Sequence, residues 1–204
     1  MNIVNLVIDR SVWRYNNQSQ FHVKTIESGL HSDLYMNTDC IISDIKLVEL
    51  IVKNIFVKKL HEKDIKPDWV ISYPPYGLVI AYELARQVNA KFGYIDTKKK
   101  ECNFDIQKND IVIVLWDDIY SWWNIIKTIE LLQTKGANII SPIFTIWNFM
   151  NTEKILNFDV VSVISEKWHL YSEQDCPMCK SGSKALSPRI HRNELKNNTA
   201  FKLL

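Results

Sequence analysis

Apolar and polar positions alternate between a helical and an extended period along this chain. Residues 45–63 place Leu47, Val48, Leu50, Ile51, Ile55 and Leu60 at helical spacing, behind Ser43 or Asp44, either of which suits an N-cap. That pattern predicts a long amphipathic helix. A strand is expected at 69–71, a turn at 73–77, a helix at 78–88 and a second strand at 92–95. Residues 97–110 are polar and loop-like. The most apolar run, Ile111-Val-Ile-Val-Leu-Trp116, has the composition of a strand buried on both faces. A helix over 122–135 follows, closed by Gly136, then strands at 139–147 and 159–164. The order βαβ–loop–βαβ–αβ predicts an α/β fold with a Rossmann-like parallel sheet of about five strands flanked by helices. Pro142 has no N–H for a ladder bond, so its strand is expected at an edge or bulged.

The charged residues change this picture little. With 204 residues, 47% apolar and 24% charged and a net charge of +2, the chain suits one globular domain. It lacks the basic excess that nucleic acid or acidic membranes demand. The N-terminus shows no signal peptide pattern, and no stretch reaches the ~20 apolar residues of a membrane span. A cytoplasmic location is expected. There the four cysteines, Cys40, Cys102, Cys176 and Cys179, are reduced thiols or metal ligands. Cys176-x-x-Cys179 is half of a zinc site, for which His169 or His191 could supply further ligands. Without a second such pair, thiols near a turn are the favoured reading over structural zinc.

Candidate chemistry concentrates after the apolar run. Asp117 and Asp118 end it, where open α/β sheets hold their ligands, and two carboxylates suit hydroxyls or a metal. The following helix start favours anions. Trp122 shares a helical face with Ile125, Ile126, Ile129 and Leu132, which predicts packing in the core. Trp123 points about 100° away, free to stack on a base, seal a pocket or meet a partner.

Four stretches resemble type I phosphoribosyltransferases of the orotate phosphoribosyltransferase kind. They are Ser28-Gly-Leu-His31-Ser32 with Tyr35, Val70 to Ala81 around Tyr73-Pro-Pro-Tyr-Gly77, Ile111 to Glu130, and Cys176-Pro-Met-Cys179-Lys-Ser-Gly182. Together they cover most of residues 24–190. The resemblance implies a phosphoribosyltransferase-type core at about 43–165 and a small hood from about 1–42 and 166–204. It also implies a magnesium-dependent transfer of ribose 5-phosphate from phosphoribosyl pyrophosphate (PRPP) to a base. Asp117 and Asp118 would hold the ribose hydroxyls, and the backbone of Ile119, Tyr120, Ser121, Trp122, Trp123 and Asn124 would cradle the 5-phosphate. Tyr73, Tyr76 and Gly77 would meet pyrophosphate, and a lysine of the 98–100 run, Lys99 or Lys100, would cover it. The alternative for that run is a solvated loop. His31 is either hood structure or a contact to the base. No side chain is assigned as a metal ligand at this site, magnesium arriving with PRPP, and the resemblance implies a homodimer. Related enzymes bend the pyrophosphate loop with a cis peptide, which makes Tyr73–Pro74 or Pro74–Pro75 the candidate here.

The loop after the acidic pair departs from the family pattern. Thr-Thr-Gly-Gly is replaced by Ser121-Trp122-Trp123-Asn124, two prolines replace donors in the pyrophosphate loop, and the 97–110 loop is short. A second reading therefore stands beside the enzyme: a non-catalytic binding or regulatory protein using Trp116, Tyr120, Trp122 and Trp123 for a partner or another nucleotide-like ligand.

Overall fold

The computed structural model describes residues 2–25, 28–96, 99, 101–102 and 104–200. They fall into two compact units, one formed by 1–40 with 168–204 and the other by 41–167.

The first unit opens with α1 (Ile3–Ser11), whose N-cap Asn2 accepts from the Val4 amide at 3.0 Å. Four short strands follow: β1 (Val12–Arg14), β2 (Phe21–Lys24), β3 (His31–Ser32) and β4 (Leu34–Met36). β1 pairs antiparallel with β4, and β2 with β3. The chain then passes through α2 (Asp39–Ile42) into the second unit.

There the expected long helix forms as α3 (Ile45–Ile51), a π-helical stretch Val52–Val57, and α4 (Lys58–Glu62). Asp44 is the cap, its carboxylate accepting from the Leu47 amide at 3.1 Å. α3 buries Leu47, Val48 and Ile51 and leaves Leu50, which lies off that face, 43% exposed, and the π stretch continues the buried stripe through Val52, Phe56 and Val57. Phe56 meets Phe144 with ring centroids 4.8 Å apart.

The remaining elements are β5 (Trp69–Ser72), α5 (Gly77–Val88), β6 (Lys91–Tyr94), β7 (Ile111–Ile119), α6 (Trp123–Thr134), β8 (Asn138–Ile139), β9 (Ile143–Asn148), β10 (Lys154–Ile155) and β11 (Phe158–Ser165). The sheet runs β10-β11-β9-β7-β5-β6, with β8 paired to the start of β7. Five strands, β11-β9-β7-β5-β6, are mutually parallel, and β10 adds an antiparallel edge. Counted along the chain, the five are ordered 2-1-3-4-5, a doubly wound sheet that reverses direction between β5 and β7.

Both faces of β7 are covered, which explains its continuous apolar run. Val112, Val114 and Trp116 join Trp69, Ile71, Ile125, Ile129 and Leu132 in one core cluster. Val70, Ile113 and Leu115 alternate to the other face and are equally buried. Cys102 and Ile106, from the polar stretch ahead of β7, are also buried in that cluster. The expected strand at 139–147 is broken instead. Pro142, in a cis bond after Ser141, separates β8 from β9. Freed of the proline, β9 is fully buried between β7 and β11 and is not an edge.

The chain ends in the first unit with β12 (Leu170–Tyr171), α7 (Pro177–Lys180), β13 (Lys184–Leu186) and α8 (Arg192–Asn197). The strand order there is β12-β3-β2-β13. Its core is small, formed by Trp13, Tyr15, Val23, Cys176, Met178 and Leu195. The Tyr15 hydroxyl donates to the Leu195 carbonyl at 3.1 Å, tying α8 to it.

Candidate active site

At the reversal between β5 and β7, two adjacent parallel strands send their following loops in opposite directions and leave a crevice at their carboxyl ends. β5 delivers Tyr73-Pro-Pro-Tyr76 and the start of α5, and β7 delivers Asp117, Asp118 and the start of α6. The strand is longer than the apolar run, for it runs through both aspartates to Ile119 and is in register with β9 at Asp118↔Trp147 and Ile119↔Asn148. The acids are thus held by sheet, not by a free loop.

Asp117 is 8% exposed. Burial raises its carboxyl to about 6 from the ordinary 3.8, even though its own amide and that of Asp118 donate to it. The Asp117 carbonyl accepts from the buried Thr145 hydroxyl at 3.2 Å. Asp118 is half-buried beside it.

The two loops interlock. Tyr73 lies flat on Trp116, with centroids 5.1 Å apart and planes inclined by 9°. The Pro74–Pro75 bond is cis. Gly77 packs so closely that a Cβ there would collide with Ser72 Oγ and sit 3.5 Å from the Asp117 amide nitrogen. The Ser72 hydroxyl is buried and meets no hydrogen-bond partner among the described residues. Gly77→Ala is therefore expected to destabilise the fold by about 1–3 kcal/mol through overpacking. Urea unfolding checks this, and Ser72→Ala in the same chain should restore part of the loss.

After the acids, Ile119 is fully buried and its carbonyl accepts from the Phe149 amide at 2.9 Å. Ser121 and Asn124 are half-buried, and Tyr120 is 46% exposed. The expectation that Trp122 packs in the core does not hold, for it is 45% exposed. It is the N-cap of α6, at the end of the stripe that carries Ile125 and Ile129 inward, and its carbonyl accepts from the Ile126 amide at 2.9 Å. Trp123 opens the helix at 65% exposure. Trp122 gives α6 no side-chain cap bond among the described residues, so its first amides keep the open donor character that suits an anion. Tyr76 is also exposed at the head of α5. Lys99 is exposed, its amide donating to the Asp96 carboxylate at 3.1 Å beneath an Asp96–Glu101 bridge. Lys100 and Lys98 lie outside the described residues.

The other sequence candidates sit in the first unit. His31 is buried in β3, and its ring is turned to His22 and Cys179. Cys176 and Cys179 are met by His22 and His31. The two histidines expected there are elsewhere: His169 is exposed, and His191 pairs with Glu194 at 3.2 Å. Burial, with His31 beside it, holds the His22 imidazole neutral, down at about 4. Sequence reasoning missed His22. Its signal is the apolar-flanked strand Phe21-His22-Val23, nine residues ahead of His31.

No family model matches the chain. An orotate phosphoribosyltransferase of Thermoanaerobacter sp. (strain X514) is 30% identical over 171 residues, covering 80% of this chain and 86% of the relative. The chain belongs to the orotate phosphoribosyltransferase family. Another member, from Caldanaerobacter subterraneus, is 27% identical over 169 residues, 80% of this chain and 86% of its own. The fold agrees with the family's. The orotate phosphoribosyltransferase structure from Aeropyrum pernix superposes with a TM-score of 0.63 at 19% identity, over 80% of this chain and 94% of that one. An adenine phosphoribosyltransferase from Leishmania donovani gives 0.62 at 10% identity, over 80% of each chain. No helix among the described residues is long and apolar enough to cross a membrane.

Proposed function

We propose that this chain is an orotate-type phosphoribosyltransferase that binds PRPP across the β5/β7 crevice and transfers ribose 5-phosphate to an orotate-like pyrimidine, releasing pyrophosphate. The observation that carries this reading is the buried Asp117 with Asp118 at the end of β7, one short loop before the uncapped N-terminus of α6. In the reaction, the ribose C1–oxygen bond to pyrophosphate breaks and a bond from C1 to a ring nitrogen of the base forms. The chain's part is positioning and charge. Asp117 and Asp118 accept from the ribose hydroxyls, fixing the sugar and placing negative charge beside an oxocarbenium-like carbon. The first amides of α6 take the 5-phosphate. Because both indoles are substantially exposed, they do not fill the space in front of those amides from within the core. The head of α5 meets the departing pyrophosphate, with Lys99 or Lys100 over it as the resemblance implies.

Two carboxylates are too few for an all-protein cation cage, and they fit a magnesium ion that keeps waters and rides on substrate phosphates. When bound, magnesium neutralises charge accumulating on pyrophosphate. A cytoplasmic homodimer completes the proposal, in keeping with the resemblance.

Thermal unfolding with PRPP and magnesium tests the binding step. At a hundredfold excess over its dissociation constant, PRPP is expected to stabilise the native chain by about 2.7 kcal/mol, a rise in Tm of roughly 5–10 °C for a chain of this size. No shift at millimolar PRPP would reject the reading and favour a non-catalytic partner surface around Trp122 and Trp123.

A further inference from the structure

We infer that His22, His31, Cys176 and Cys179 form a tetrahedral structural zinc site that staples the first unit together. Their ligand atoms all lie within 4.8 Å of one another. His22 Nε2 is 3.2 Å from His31 Nδ1, 3.5 Å from Cys176 Sγ and 3.6 Å from Cys179 Sγ, and Cys179 Sγ is 3.2 Å from His31 Nδ1. Zinc bonds of ~2.0–2.1 Å to nitrogen and ~2.3 Å to sulfur give a tetrahedron with edges of about 3.3–3.8 Å. The four separations of 3.2–3.6 Å are close to those edges, and the whole set, within 4.8 Å, needs only a small adjustment to close on one ion.

A hydrogen-bond network explains the cluster poorly. A ring nitrogen carries one proton or one lone pair, so His22 Nε2 can serve only one of the three atoms converging on it. A cation at a common centre serves all four at once. The outer nitrogen of His22 is held as zinc ligation requires, with Nδ1 at 2.9 Å from the buried Ser183 hydroxyl. Two thiols and two imidazoles are a donor set for zinc rather than for magnesium or calcium.

The local chain builds this set from three places. His31 opposes Lys24 across β2 and β3. His22, two residues before Lys24, is therefore its diagonal neighbour on the same face. The cysteines come from the turn between β12 and β13. There the Lys180 amide donates to the Cys176 carbonyl at 3.1 Å, and the Gly182 amide to Cys179 at 2.9 Å. Gly182, at φ +87°, closes the turn in a conformation that side chains resist. The strands so joined are two to four residues long, over the small core built on Trp13, Tyr15 and Met178. Units of that size commonly require a metal or disulfides.

The test is metal analysis of the full chain with cobalt substitution. Purified protein is expected to hold about one zinc per chain. After stripping, cobalt(II) should give the ligand-field bands of a tetrahedral site with thiolate charge transfer. Cys179→Ser and His31→Ala should abolish this spectrum, His191→Ala and Cys102→Ser should leave it intact, and Ser183→Ala should weaken cobalt binding by about tenfold or more. A folded wild-type chain that holds no zinc and gives only an octahedral cobalt spectrum overturns the site, as does a spectrum that survives Cys179→Ser. If the ligand variants fail to fold, the wild-type zinc content and cobalt spectrum decide. None of these readouts involves PRPP, so they stand or fall separately from the phosphoribosyltransferase proposal.

Discussion

Asparagine at both Asp117 and Asp118 is expected to lower kcat/KM for PRPP by roughly 10²–10⁴-fold while the chain stays folded. Each carboxylate accepting from a ribose hydroxyl makes a charge-assisted hydrogen bond worth about 1.5–3 kcal/mol. Removing both withdraws about 3–6 kcal/mol of transition-state stabilisation, and each 1.36 kcal/mol is tenfold in rate. The fold should survive because the pair is fixed through its backbone. Asp118 and Ile119 are in register with Trp147 and Asn148 of β9, and the Thr145 hydroxyl bonds the Asp117 carbonyl, not its carboxylate. Steady-state kinetics with PRPP and orotate checks the loss, and circular dichroism checks the fold. A double variant within threefold of wild type would remove the acids from the mechanism.

The crevice was legible because buried parallel strands and the helices between them announce themselves by period. Residues 111–116 read as a strand, and the acids after them as a site, because both faces of β7 are covered and its carboxyl end is where such sheets bind. The misreadings share a different cause, in that local geometry interrupts the period. Leu50 is three residues from Leu47 but lies off the face that Leu47, Val48 and Ile51 bury, and a π stretch at Val52–Val57 then breaks the regular period. Pro142, which has no N–H for the ladder, parts one expected strand into β8 and β9, and β9 lies in the sheet's interior. Trp122 matched a helical stripe by spacing but stands at the helix's N-cap, at the end of the stripe, where it is 45% exposed. The first unit was nearly silent. Its strands of two to four residues show no period, and His22 and His31 become meaningful only once β2 and β3 are paired. Two cysteines three apart implied missing ligands, yet nothing in linear order pointed to histidines some 150 residues earlier.

Asp117→Asn alone is expected to make the protein more stable at neutral pH, which marks the residue as held for function against the interest of the fold. Its carboxyl rises from 3.8 to about 6 on folding, so between those values the native chain binds the proton that the unfolded chain has released. Stability from this group is therefore full below about pH 4 and is lost as pH climbs through 6. Above pH 7 the whole penalty is present, about 3 kcal/mol at ~1.4 kcal/mol for each pH unit. An asparagine carbonyl still accepts from the amides of residues 117 and 118 and carries no charge to desolvate. At pH 8 the variant should gain about 2–3 kcal/mol, a rise in Tm of roughly 4–10 °C, whereas at pH 4 the two proteins should melt together. Wild type saturated with PRPP should close most of the gap at pH 8, because ribose hydroxyls donating to the carboxylate replace the water it lost on burial. Equal melting of variant and wild type across pH 4–8 would show that the carboxylate is better solvated than its burial implies, and would remove the argument that binding relieves it.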